Sequence, residues 1–182
     1  MYSGDHVKKS GDTMTGDLVV PNINVTNGIT FGSGTDVLDS YEDGLWTPVI
    51  DASTTSPTSV VADPVIAGQY IKIGRMVTLW CIISAIVTGG SGYFVIKGLP
   101  FEAALGLDET STAHNPVGTV QMNLHSISLP NPDETTDLTP VVLAPTEIRL
   151  RTTRMDANGR WDNFPIQDIN YMRLSISYLT SD

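Results

Sequence analysis

One run of residues narrows the fold of this chain more than any other: Met76 to Val87, apolar at nearly every position. Its odd positions, Val77, Leu79, Cys81, Ile83, Ala85 and Val87, are uniformly apolar. Its even positions, Met76, Thr78, Trp80, Ile82, Ser84 and Ile86, are mixed but still largely so. Side chains alternate between the two faces of a strand, so this pattern describes a strand that is apolar on both. Such a strand is normally covered on both faces. The core of the domain supplies one cover; the other has to come from a second sheet, a loop or another subunit. Just upstream, Gln69-Tyr70-Ile71-Lys72-Ile73 is a second strand-like run, separated from the first by Gly74-Arg75, the two-residue spacing of a β-hairpin.

Elsewhere, short apolar runs are broken by Gly, Pro and Asn, the punctuation of strands. Trp46 to Ile50 reads as a first strand, followed by a Ser/Thr/Pro loop from Asp51 to about Ser59. Gly89-Gly90-Ser91-Gly92 is a turn leading into a short strand from Tyr93 to Lys97. Leu107 to Asn115 is a polar loop. Val117 to Leu124 alternates cleanly, and the apolar phase then shifts after His125-Ser126, which signals a bulge or corner. Asn131 to Thr139 reads as an acidic, Pro-bounded loop, and Asp156 to Asp162 as a loop or turn. Between them, Glu147 to Arg151 points Ile148 and Leu150 one way and its charges the other. The closing strand carries Met172, Leu174, Ile176 and Tyr178 on one face. The only helix candidates are two short ones, Thr35 to Tyr41 and Phe101 to Leu105. Many short strands at regular spacing predict an all-β, antiparallel β-sandwich of jelly-roll-like form.

The N-terminal quarter differs. Ile23, Val25, Ile29 and Phe31 alternate with polar residues around Asn27-Gly28, a hairpin signal. A lone hairpin is marginal in water, and Leu18, Ile23, Val25, Ile29 and Phe31 have too few apolar neighbours in their own chain. Identical chains are the simplest source of partners. The expected organisation is a short trimeric β stem over residues 1–45 and a sandwich head over residues 46–182. The large rings of Tyr41 and Trp46 anchor the corner between them.

Charge removes several classes of function. Ten Lys and Arg stand against twenty Asp and Glu, a formal net charge of −10. Nucleic-acid binding depends on basic residues that neutralise phosphates, so it is not expected; electrostatic capture of a strongly anionic polysaccharide is disfavoured too. Cys81 is the single cysteine and sits in an apolar run, so it reads as a small buried hydrophobe. No N-terminal apolar segment has the form of a secretory signal. The longest apolar run falls far short of the ~20 residues a spanning helix needs, so no membrane insertion is expected.

Four motifs bring in a family. Tyr41-Glu42-Asp43-Gly44-Leu45-Trp46-Thr47-Pro48, ahead of a β-rich end, resembles the C-terminal modules of bacteriophage tail fibres and related receptor-binding proteins. Gly11-Asp12-Thr13-Met14-Thr15-Gly16-Asp17-Leu18 is similar to an element repeated in tail-fibre shafts. The hairpin from Gly68 through Tyr70, Lys72, Ile73 and Gly74 to Val77, and then Gly98-Leu99-Pro100-Phe101, are similar to steps in the same heads. The resemblance covers the stem, the junction and the first half of the head, and thins after Phe101. It implies a virion protein of the phage tail, a homotrimer joined to an upstream tail-fibre or baseplate component. Its distal loops would meet a host-surface polysaccharide or outer-membrane receptor.

Catalytic signatures are few. Gly89-Gly90-Ser91-Gly92-Tyr93 lacks the last glycine of a nucleophile elbow. His6, His114 and His125 are scattered without metal-ligand spacing. No phosphate-cradling loop is present, and neither a cofactor nor a metal is expected. Asp133, Glu134 and Asp137 offer carboxylates for glycoside cleavage or hard oxygens for Ca²⁺, or simply a solvated acidic loop. Asp156, Asn158 and Asp162 mimic a calcium loop only slightly, since Gly159 falls at the fourth position. Sugar binding asks for an aromatic face ringed by amides, carboxylates or Arg. Arg160-Trp161-Asp162-Asn163 with Asn158 meets that description, unless Trp161 packs inward and caps the sandwich. Tyr93, after the Gly-rich turn, is the second candidate, whereas Trp46 and Trp80 are assigned to structure. The expected function is non-covalent attachment to a host-surface glycan, without catalysis. The rival readings are a polysaccharide depolymerase with carboxylates at a subunit boundary and a purely structural fibre cap.

Overall fold

A computed structural model describes residues 17, 19, 21–26, 29–31, 36–38, 40–105, 115–123, 135–154 and 161–180. The chain divides into two units, Met1–Val37 and Leu38–Asp182. Among the described residues there are strands and no helix, hence no helix long and apolar enough to cross a membrane.

In the first unit Val19, Ile23, Val25 and Ile29 are 91%, 60%, 42% and 45% exposed, as their lack of apolar neighbours predicts. β1 (Ile29–Phe31) pairs with β2 (Asp36–Leu38). The hairpin expected around Asn27-Gly28 is thus replaced by a pair that begins after it; residues 21–26 form no strand. Asn27 and Gly28 themselves lie outside the described residues. The short helix expected over Thr35 to Tyr41 gives way to β2 and to the start of β3.

The second unit holds two antiparallel sheets. One contains β3 (Tyr41–Trp46), β5 (Ser59–Ile73), β6 (Met76–Thr88), β12 (Ile169–Leu179) and β8 (Thr119–Met122), in that order. The other runs from β4 (Val49–Ala52) through β7 (Phe94–Lys97) to β10 (Glu147–Arg154). β9 (Thr135–Ala144) lies along one side of β10, while β11 (Trp161–Asn163) and β7 share the other. Thr47-Pro48 forms the corner from β3 to β4. A single strand was expected through it, but proline lacks the N–H a ladder needs. On the far side, Gly118 N–H donates to the Pro140 carbonyl and Val142 N–H to that of Pro116, at 2.9 and 3.0 Å. The chain then enters β8 beside β12, so the two sheets are linked at both flanks.

The core lies between the sheets and follows the alternation. Val77, Leu79 and Ile83 of β6 are fully buried, as are Phe94 and Ile96, Ile148 and Leu150, and Met172. Phe101 of the Gly-Leu-Pro-Phe step packs edge-on to Tyr70 at 5.4 Å between centroids, and Lys72 places Nζ 5.1 Å over the same ring. Two of the motifs that carry the resemblance therefore meet in space. The helix expected over Phe101 to Leu105 does not form; Ala103 bridges Thr180 instead.

Two loops expected in the second half are strands. Thr135 to Thr139 belongs to β9, where Leu138 opposes Thr152 and Pro140 opposes Leu150. Trp161 and Asp162 belong to β11, opposite Thr153 and Thr152. Tyr41–Leu45, grouped with the stem in the sequence, pair along β5 from Ile73 to Gln69.

Candidate ligand-binding surface

Three segments converge where β7 begins. Ser53 N–H donates to the Tyr93 carbonyl at 3.0 Å, and Tyr93 N–H donates to the Ser53 hydroxyl at 2.9 Å. Thr54 and Thr55 N–H both reach the Ser91 carbonyl at 3.2 Å, and Ser91 N–H returns to that of Thr55 at 3.0 Å. From the third side, Tyr93 bridges Pro165, Phe94 N–H donates to the Phe164 carbonyl at 2.8 Å, and Ile166 N–H to that of Gly92 at 3.1 Å. Gly92 has φ of 97°, and a Cβ there would stand 2.5 Å from the Ser53 hydroxyl, so the approach requires glycine.

This network holds the Tyr93 backbone while 44% of the residue remains exposed. Around it lie the hydroxyl-bearing residues Ser53, Thr54, Thr55 and Ser91. An aromatic ring among hydroxyls on a rigid β scaffold suits stacking with hydrogen bonding. Asp51 stands two residues before Ser53, with its carboxylate 2.6 Å from Lys97 Nζ. Lys97 and a hydrogen bond from Ser56 hold that carboxyl below its ordinary value.

The residues proposed from sequence are distributed as follows. Tyr93 is at the centre of this surface. Asp162 is half-buried on β11, its carbonyl accepting from the Thr152 hydroxyl at 3.3 Å. Trp161 occupies the start of the same short strand. Asn158 and Arg160 lie outside the described residues, as do His6, His114, His125, Asp133 and Glu134. Asp137 is on β9, where its carboxylate accepts from Leu138 N–H at 2.8 Å and from the Thr139 hydroxyl at 3.2 Å. Among the described residues no cluster of His, Cys, Asp and Glu is arranged to hold a metal ion. Cys81 is buried, and burial pushes its thiol up to about 12, which leaves it unreactive.

Ser53, Thr54 and Thr55 were not foreseen. They are polar loop residues whose partners are about forty positions away, and no local pattern announces such a contact.

A second concave region lies on the outer face of the β3–β5–β6–β12–β8 sheet. It is a groove of about 550 Å³ whose lining includes Leu45, Trp80, Ile82, Gln121 and Arg173. An adjoining groove of about 560 Å³ shares Leu45, Gln69 and Trp80 and extends to Tyr41.

Comparison with protein families, with characterised proteins and with solved structures finds no match to this chain. The fold itself defines an all-β protein built on two antiparallel sheets.

Proposed function

We propose that this chain is the receptor-binding end of a bacteriophage tail fibre, a virion protein that attaches non-covalently to a glycan on the host surface. The observation that carries the reading is Tyr93, a half-exposed ring anchored by backbone bonds among Ser53, Thr54, Thr55 and Ser91. The tail-fibre motifs support the phage context, and the packing of Phe101 against Tyr70 and Lys72 gives two of them a common structural purpose. The exposed apolar residues of the first unit support a homotrimer, joined through its N-terminal unit to an upstream fibre or baseplate component. In that arrangement Trp161, Arg160, Asp162 and Asn158 join Tyr93 in contacting sugar. Three weak sites on one particle gain avidity on the order of 10²-fold or more where their spacing allows simultaneous engagement.

The test is a glycan-array screen with the purified oligomer, coupled to host adsorption by a Trp161→Ala variant. Binding to a defined glycan, with adsorption lost and the melting temperature kept in the variant, is the expected result. No binding on the array together with no adsorption to cells would leave a structural fibre cap as the better description.

A further inference from the structure

We infer that the outer face of the β3–β5–β6–β12–β8 sheet is the surface on which copies of this chain pack against one another, the β3 flank of one copy meeting the β12–β8 flank of the next. Register aligns Tyr41, Ile73, Met76 and Leu179 in one row across four strands. Each is a large apolar side chain, and they are 62%, 50%, 55% and 46% exposed. The next outward row, Asp43, Ile71, Thr78 and Ser177, is mixed, and the one after it carries Leu45 at 80% and Trp80 at 41% exposed. Between this first row and the row of Ala67, Ile82, Arg173 and Gln121, the outward positions carry only two charges, Asp43 and Arg173.

The outer face of the other sheet is built differently. Asp51 pairs with Lys97 at 2.6 Å and Glu147 with Arg149 at 2.7 Å, and Arg151 follows on the same strand face. Between Asp51 and Arg149 in register, Val95 is only 1% exposed. One sandwich thus has a charge-laced face suited to water and a nearly uncharged one, in a chain with thirty charged side chains to distribute. Depletion of charge with aromatic and aliphatic enrichment marks the centre of a protein interface.

Four strands at ~4.8 Å spacing over Met76 to Ile82 at ~3.4 Å per residue give a face on the order of 450 Å² in projection, to which the short β8 adds its four residues. Leu45 on the edge strand β3 is 80% exposed and lines the groove that crosses this face past Trp80 and Ile82 to Gln121 and Arg173. Asp43 and Arg173 have opposite signs and stand toward opposite sides of the sheet, Asp43 on the edge strand β3 and Arg173 on β12 beside Gln121 of the edge strand β8. Flank-to-flank contact between copies sets each Asp43 against an Arg173 of its neighbour, the head-to-tail arrangement that forms a ring when the rotation closes. The inference rests on the tail-fibre reading only for the number of copies.

Cysteine labelling tests it on the full chain. Cys81 is buried and stays silent, so Leu45→Cys and, on the other sheet's outer face, Val49→Cys (51% exposed in the native residue) each report one surface. The expected result is an oligomeric mass in sedimentation equilibrium with Leu45→Cys labelled about tenfold more slowly than Val49→Cys, because a covered thiol reacts only when its cover opens. Equal labelling in an oligomer would overturn the assignment of this face and leave the trimeric fibre reading intact. A mass of one chain would overturn both. Slow labelling in a single-chain species would mean that another segment of the same chain covers the face, which also overturns the inference.

Discussion

The Trp46 indole N–H donates to the backbone carbonyl of Trp80 at 3.1 Å, reaching from β3 to β6 across the strand between them. Trp46 opposes Gly68 on β5, and Gly68 opposes Cys81 on β6, so the indole passes over a position with no side chain. This contact joins the edge strand to the hairpin and buries Trp46 to 6% at the corner where the chain changes sheets. It also explains why a glycine precedes the Tyr-x-Lys pattern of β5.

Gly68→Ala is therefore expected to be severe. A Cβ at Gly68 would stand 2.2 Å from Trp46 Nε1 and 2.5 Å from Cε2, and neither ring atom is the end of a flexible chain. Overpacking of this kind typically costs about 1–3 kcal/mol, and loss of the indole hydrogen bond adds about 1 kcal/mol. Denaturant unfolding followed by tryptophan emission should show a lower midpoint and a red-shifted native spectrum. A variant as stable as the parent would mean that the indole does not cross β5.

Which elements were legible in the sequence follows from how local their signals are. The β5–β6 hairpin was readable because Gly74-Arg75 separates two apolar runs, and β12 because Met172, Leu174, Ile176 and Tyr178 keep strict phase. β9 was hidden by its acidic approach and by Pro140, a residue that argues against a paired strand. β11 is three residues long, two of them polar, and exists because β10 continues to Arg154 and offers it an edge. At the candidate site, Tyr93 was visible through its Gly-rich turn. Its partner Ser53 was not, since a bond across forty positions leaves no trace in either segment. The cover expected over both faces of β6 is present on one only: Met76, Trp80 and Ile86 on its outer face stand 55%, 41% and 48% exposed.

Stability should decline in alkali. Burial pushes the Cys81 thiol from 9.0 up to about 12 and the Tyr178 phenol from 10.0 up to about 12. Both are acids whose folded-state values exceed the unfolded ones. Their contribution is complete below pH 9 and is lost as the pH rises toward 12, where the unfolded chain has already released its protons. Unfolding midpoints measured across that range should fall, and less steeply in Tyr178→Phe. That variant also loses the 2.9 Å hydrogen bond to the Phe101 carbonyl, at about 1 kcal/mol near neutrality. A flat profile to pH 12 would show that neither group is buried.

In acid the relevant pair is Asp51 and Lys97. The Lys97 hydrogen bond pulls the Asp51 carboxyl below its ordinary 3.8, helped by Ser56 and the Ala52 N–H and opposed by partial burial. A depressed carboxylate value stabilises the fold above the unfolded pKa and loses that contribution as the pH falls through the folded one. Lys97 is half in solvent, so the effect should stay below about 1 kcal/mol and weaken with salt. Asp51→Asn should accordingly be slightly less stable than the parent at neutral pH, with the difference closing in acid. A difference that persists undiminished at low pH would assign the loss to packing instead of charge.

The last prediction separates binding from architecture at the Tyr93 surface. Phe164 is fully buried and meets Phe94 edge-on at 6.1 Å between centroids. Its N–H donates to the Leu150 carbonyl at 2.9 Å, and its own carbonyl accepts from Phe94. It therefore ties the segment after β11 to the strand that begins beside Tyr93. Phe164→Ala should cost about 3–5 kcal/mol, as large-to-small aromatic deletions in a core do, and glycan binding should fail with it because the third side of the surface is released. Tyr93→Ala removes the ring of a residue that is already 44% exposed, while the Tyr93 backbone bonds to Ser53 and Pro165 need no Tyr93 side chain. Its stability should stay within about 0.5 kcal/mol of the parent, the usual range for surface changes. Glycan binding in the same variant should drop by at least about tenfold, which corresponds to about 1.4 kcal/mol. Melting and binding measured on both variants distinguish the two roles. Full binding by Tyr93→Ala would remove that ring from the site. A melting temperature that fell as far as in Phe164→Ala would make Tyr93 part of the scaffold.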